Sequence, residues 1–120
     1  MNPDPQVEQR LQSEANIWLA TVRSDGRPHL VPIWFVWLKA RIYICTEANS
    51  VKARNVLTNP NVAMALEDGG QPVVIEGRAR TIDRASPEVV AAFQHKYDWN
   101  ISTDNQYTQV IEIEPRRIRS

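Results

Sequence analysis

This sequence predicts a mainly β fold with short helices, of the α+β class, arranged as a small antiparallel barrel. Three observations carry that expectation. Six strand-like runs recur between turn signals, an Asp25-Gly26 dipeptide joins the first two, and helix punctuation is confined to two or three short segments. The length, 120 residues, suits a single domain over 1–120, and 42% hydrophobic with 23% charged residues is ordinary for a globular chain.

Val7 to Glu14 is polar, with Val7 and Leu11 four apart, which reads as a short amphipathic helix that packs on something larger. Ile17 to Val22 is the first strand, and Ser24-Asp25-Gly26 is its hairpin turn, because glycine tolerates positive φ. Arg27 to Trp37 is the second strand and the most apolar stretch of the chain. Both of its alternation classes are apolar, so one face is expected on the core and the other on a ligand or a second subunit. Pro28 and Pro32 each remove a ladder donor and place this strand at an edge or a bulge. Arg41 to Thr46 is the third strand. Asn49-Ser50 then starts a helix that stops near Asn59-Pro60, since the residue before proline avoids the helical region. Asn61 to Glu67 and Val73 to Asp83 are strands four and five. Ser86-Pro87-Glu88 opens a helix to about Tyr97, with serine as N-cap and proline in the first position. A polar loop carrying Trp99 follows, and Thr108 to Glu114 is the sixth strand.

Composition restricts the chemistry. Fourteen Lys and Arg balance fourteen Asp and Glu, against the basic excess that a general nucleic-acid binder shows. A single-strand binder that stacks bases on Trp34 and Trp37 beside Lys52 is the reading this balance disfavours. One cysteine, Cys45, leaves no internal disulfide or cysteine-rich metal site, and two histidines are too few for a His-built zinc site. The longest apolar run, Leu30 to Leu38, is about half of what a bilayer span needs. No basic-then-apolar leader is visible at Met1-Asn-Pro-Asp-Pro, so a cytoplasmic location away from membranes is expected. Cys45 reads as an inert buried thiol, His29 as a structural hydrogen-bonder and His95 as a solvent-facing helix residue. No catalytic acid, base or nucleophile can be placed from spacing.

The informative stretch is Thr46 to Asn55. A strand ends, a turn follows, and the first turn of the helix carries Lys52 and Arg54 without an acid, the reverse of what the helix dipole favours. Two cations at an already positive helix end make sense if an anion binds there, with the Ser50 hydroxyl, free backbone N–H groups and Lys52 holding a phosphate. The competing reading has both cations in water at a penalty of a few tenths of a kcal/mol. The run Trp34-Phe-Val-Trp37 needs a large flat partner, either a planar cofactor ring or a subunit seam.

Taken together, these pieces resemble the pyridoxamine 5'-phosphate oxidase-like split-barrel family, whose members bind FMN or a related deazaflavin coenzyme. The resemblance runs through Leu19-Ala-Thr-Val22, Asp25-Gly-Arg-Pro-His29, Pro32-Ile-Trp-Phe35, Ile42-Tyr-Ile-Cys-Thr46, Ser50-Val-Lys-Ala-Arg-Asn55, Asn59-Pro60 and Val74-Ile-Glu-Gly-Arg-Ala79. It implies a six-stranded antiparallel split β-barrel and a homodimer with the cofactor at the subunit interface. It further implies a ring lined by Val31, Pro32, Ile33 and Trp34, a ribityl chain and phosphate held by Thr46, Ser50, Val51, Lys52 and Arg54, and Trp99 reaching over the site. The reaction implied is hydride or electron transfer to a small organic substrate; a deazaflavin-dependent reductase and a non-catalytic flavin or stress protein are the alternatives. Val31 and Val36 stand where the true oxidases carry Arg and Lys, and no counterpart of their C-terminal substrate-binding Arg and His is read after Pro115-Arg-Arg-Ile-Arg119. Both departures argue against oxidation of pyridoxamine phosphate itself.

Overall fold

In the computed structural model, which describes residues 3–120, the Asp4 carboxylate accepts the amide protons of Gln6 and Val7 and Pro5 occupies the first helical position. Helix α1 (Pro5–Ser13) therefore starts two residues before the apolar stripe and buries Val7 and Leu11. Strand β1 (Asn16–Val22) turns through Gly26, at φ +90°, into β2 (Pro28–Trp34).

The predicted second strand, Arg27 to Trp37, is two strands: β2 stops at Trp34, and β3 covers Val36–Leu38. The count is thus seven rather than six. The cause lies at Phe35, whose backbone leaves the ladder. The Tyr97 hydroxyl accepts from the Phe35 N–H at 2.9 Å, and the Phe35 carbonyl accepts from Lys96 Nζ at 2.9 Å and lies 2.8 Å from the same hydroxyl. Neither partner is near Phe35 in sequence, so no local signal announced the break. A turn through Lys39 and Ala40, both at positive φ (51° and 58°), leads to β4 (Arg41–Thr46). Two consecutive left-handed residues are what a two-residue hairpin needs, although Asn-Gly is the usual sequence for it.

The remaining elements are α2 (Val51–Thr58), β5 (Asn61–Leu66), β6 (Val74–Ile82), α3 (Pro87–Tyr97), a 3-10 turn over Ile101–Thr103 and β7 (Gln109–Arg119). Strand β7 runs five residues past the predicted Glu114. A bulge between Glu76 and Gly77 in the β6 pairing shifts the register, so that Pro115 sits in the strand without breaking it.

All neighbours are antiparallel, in the order β2-β1-β5-β6-β7-β4-β3. The two edge strands, β2 and β3, are joined by Phe35 alone. A flat seven-stranded sheet would hold its edges about 29 Å apart at the usual strand spacing. One residue cannot span that, so the sheet must curl until its edges approach, as a split barrel does. The concave side carries the main core, including Ile17, Leu19, Phe35, Ile44, Ile75 and Ile113 with Val7 and Leu11 of α1 and Val56 of α2. A second cluster under α3 gathers Val36, Cys45, Val89, Phe93, Ile101 and Val110. Trp37 lies in the main core at 8% exposure, which removes it as a stacking surface for a ligand.

Candidate functional site

Three elements meet at the split. The end of edge strand β2 supplies Pro32, Ile33 and Trp34, the end of β4 supplies Cys45 and Thr46, and the first turn of α2 supplies Lys52. The end of α3 with Tyr97 and the loop after it with Asp98, Trp99, Asp104 and Tyr107 close one side, and Asn16 completes the wall. These residues surround an open cleft of about 640 Å³.

Its aromatic end is built on α3. Trp34 stacks on Tyr97 with ring centroids 4.4 Å apart and planes 6° from parallel. Trp99 meets Trp34 edge-on at 6.0 Å and Tyr107 edge-on at 5.8 Å. The loop is held by Asp104, whose carboxylate accepts from Trp99 Nε1 at 3.0 Å and from the Gln106 and Tyr107 amides. Those bonds hold the Asp104 carboxyl below the usual range. Trp34 remains 46% exposed and presents apolar surface to the cleft mouth.

The α2 side of the cleft carries a cation. Ser50 caps α2, its Oγ accepting the Ala53 amide at 3.2 Å, and no acid occupies the first turn. Lys52 is half-buried, burial lowers its pKa, and among the described residues it forms no ion pair or hydrogen bond. A desolvated ammonium without a counter-ion is costly unless a ligand supplies the anion. Asn55, one turn further on, donates from Nδ2 to Thr21 Oγ1 at 2.9 Å and ties α2 to β1 through a buried pair.

Of the residues predicted to bind the cofactor, Pro32, Ile33, Trp34, Thr46, Lys52 and Trp99 line this cleft. Ser50 lines the adjoining hollow with Glu47, Asn49 and Gln106, its hydroxyl 3.2 Å from Thr46 Oγ1. Val31 is half-buried on β2 opposite Leu19, Val51 is half-buried at the start of α2, and Arg54 points to solvent. Sequence reasoning did not bring Asn16, Tyr97, Asp98, Asp104 and Tyr107 to the site. Only the Asx pattern at Asp104, next to Trp99, gave a local hint. Cys45 faces the cleft, but burial pushes its thiol up to about 11 and its Sγ donates to the Tyr107 carbonyl. The Tyr97 hydroxyl, pushed up to about 12 by burial, is committed to backbone groups. Neither is poised as a nucleophile or acid near neutral pH. Among the described residues no three His, Cys, Asp or Glu are placed to hold a metal ion, and no helix is long and apolar enough to cross a membrane.

The sequence profile of the family described as pyridoxamine 5'-phosphate oxidase matches residues 3–120. No curated protein matches by sequence. Among solved structures, an F420 reductase superposes with a TM-score of 0.76 at 24% identity, covering 93% of this chain and 94% of that one. The heme storage protein HutZ from Vibrio cholerae gives 0.78 at 21% identity, with 98% and 92% covered. General Stress Protein 26 from Bacillus anthracis gives 0.72 at 25% identity, with 94% and 88% covered.

Proposed function

The chain belongs to the pyridoxamine 5'-phosphate oxidase family, and from that premise we propose that it is a dimeric FMN-dependent oxidoreductase acting on a small organic molecule. The observation that carries the proposal is Lys52: a half-buried cation without a partner among the described residues, in a cleft that is also lined by Trp34, Tyr97, Trp99 and Tyr107. The cleft fits a phosphorylated tricyclic coenzyme in both respects. Lys52, with the free amides at the start of α2, would hold the phosphate. Thr46 would hydrogen-bond along the polar chain, and Pro32 to Trp34 would line the ring. When bound, the flavin supplies hydride or electron transfer; the protein's share is binding, orientation and exclusion of water. No side chain of the cleft is assigned a proton-transfer role.

A second copy of the chain is part of the reading. Across the outer face of the sheet, Pro32, Trp18, Ala65 and Val74 lie side by side, with Leu30, Ala20 and Ala63 in the next row. Trp18 is 37% and Leu30 60% exposed. An apolar row of this kind on β2, whose Trp34 also lines the cleft, suits a seam that covers the site. A cytoplasmic location remains part of the proposal.

The F420 reductase among the structural neighbours supports a deazaflavin coenzyme as the second reading, since it too carries a tricyclic ring and a phosphate. An absorption spectrum of the purified protein, followed by parallel fluorescence titrations with FMN and the deazaflavin coenzyme, separates the readings. Saturation by FMN at one per subunit supports the flavoprotein, and preference for the deazaflavin supports the second. Binding of neither refutes both and leaves a non-enzymatic role on the same fold.

A further inference from the structure

The loop between α3 and β7 brings aromatic rings and carboxylates together on the cleft. Trp99 stands nearly perpendicular to both of its neighbours there, at 72° to Trp34 and 88° to Tyr107. Tyr97 covers one face of Trp34, yet Trp34 remains 46% exposed, and Tyr107 is 38% exposed. All three rings line the cleft, as do Asp98 and Asp104. Neither carboxylate has a cationic partner among the described residues. Asp104 is ionised across the neutral range, because its loop bonds hold its pKa low. One of those bonds comes from Trp99 Nε1 at 3.0 Å, and an indole N–H donated to a carboxylate leaves the ring face richer in electrons.

The charges on the lining decide what such a surface takes. Among the described residues Lys52 is the one cation of the lining, and the acid that acts on it is Glu47, neither Asp98 nor Asp104. The loop carboxylates are therefore not spent on Lys52. With Lys52 committed to a coenzyme phosphate, a second molecule meets two carboxylates and rings whose faces carry negative potential. An anion is repelled there, and a neutral molecule gains nothing from the field. We propose that this loop forms a subsite for an organic cation, an alkylated ammonium group held against Trp99 and Tyr107 with Asp98 and Asp104 beside it, and that the substrate of the proposed oxidoreductase carries such a group. Ring faces attract ammonium groups within about 6 Å of the ring centre, most strongly where the ion is desolvated. Trp34, assigned above to the coenzyme ring, meets Trp99 edge-on, which sets the subsite beside that assignment. The role of the cation as substrate rests on the coenzyme reading; the subsite itself does not.

The test uses three small molecules of one shape: choline, its neutral carbon isostere 3,3-dimethylbutan-1-ol and the anion 3,3-dimethylbutanoate. Each is titrated into the full-length protein, free and saturated with FMN, and followed by NMR of the indole N–H signals. Choline is expected to bind about tenfold more tightly than the alcohol, the scale of a cation on desolvated rings, with the anion weakest. The Trp99 signal should move, and choline should bind with FMN in place. D98N removes one charge and keeps a residue that tolerates the φ of +53° found there. It is expected to cut the choline-to-alcohol ratio by about two- to fivefold. Y107L removes a ring while keeping apolar bulk and the backbone bonds of the loop, and is expected to cut that ratio by about threefold. Equal affinity for the three molecules, preference for the anion, or a choline preference unchanged in both variants overturns the inference. Exclusion of choline by bound FMN overturns the substrate role. FMN binding without a choline preference overturns the subsite and leaves the Lys52 reading standing. A choline preference without FMN binding overturns the coenzyme reading, and the substrate role with it, and leaves the subsite standing.

Discussion

Replacing Tyr97 by phenylalanine removes one oxygen and isolates the device that divides the second strand. That oxygen accepts from the Phe35 amide at 2.9 Å and lies within hydrogen-bond distance of two carbonyls, Ala15 at 2.7 Å and Phe35 at 2.8 Å, to one of which its single proton is donated. Losing the acceptor leaves a part-buried amide unpaired, at a cost of about 1–3 kcal/mol, and the donated bond adds about 0.5–1.5 kcal/mol. The sum is about 2–4 kcal/mol. For a chain of this size each kcal/mol moves the melting temperature by about 3–5 °C. Y97F should therefore melt on the order of 10 °C below wild type. The ring that stacks on Trp34 is retained, so a loss of stability with the tryptophan environment preserved is the signature. Thermal melts followed by far-UV circular dichroism and by tryptophan emission make the measurement. A fall of less than about 2 °C, below one hydrogen bond's worth on this scale, would refute the claim that Tyr97 holds the break at Phe35.

Three further outcomes are expected. A Cβ at Gly77 would lie 2.8 Å from both the Glu114 carbonyl oxygen and Ile113 Cγ2, so G77A should destabilise by about 1–3 kcal/mol in urea unfolding, against near-neutrality if the bulge can open. Burial lowers the Lys96 pKa from 10.5 to about 8, so the unfolded chain binds more protons than the folded one between those values. Wild type should accordingly gain stability relative to K96M as pH rises from about 8 towards 10.5; that paired comparison cancels the opposing alkaline titrations of Cys45, Tyr43 and Tyr97, and a flat difference would contradict it. Charge placed on the exposed apolar sheet face by L30E should convert a dimer of twice 13.7 kDa to monomer in sedimentation, and an unchanged mass would remove that face as the seam.

Local rules made most of the fold legible. Ser50 and Ser86, read as helix starts, each cap a helix with their own side chain, and the Pro28 and Pro32 pair marked β2 as an edge; the Asp4 cap, which starts α1 at Pro5 rather than Val7, was not read. What escaped was set by contacts distant in sequence or by conformations the residues do not advertise. The break at Phe35 depends on side chains 61 and 62 residues away. The Lys39-Ala40 turn adopts left-handed φ without glycine or asparagine, and Pro115 is carried through β7 by a bulge set by its partner strand. The site divides in the same way. Lys52 was legible because a cation at a helix start contradicts the dipole. Tyr97, Asp104 and Tyr107 enter because α3 folds against the strand break, and no spacing along the chain encodes that approach. His29, read as a structural hydrogen-bonder, leaves its Nδ1 buried and without a partner among the described residues.

The central claim is that Lys52 holds a coenzyme phosphate. The direct test compares FMN with riboflavin, which has the same ring and polar chain without the phosphate, in fluorescence titrations of wild type and K52E. A charge-assisted phosphate contact contributes about 1.5–3 kcal/mol, so wild type should prefer FMN by about 10- to 150-fold, and K52E should abolish that preference while riboflavin affinity is kept. Equal affinity of wild type for FMN and riboflavin, or an FMN preference undiminished in K52E, would contradict the account.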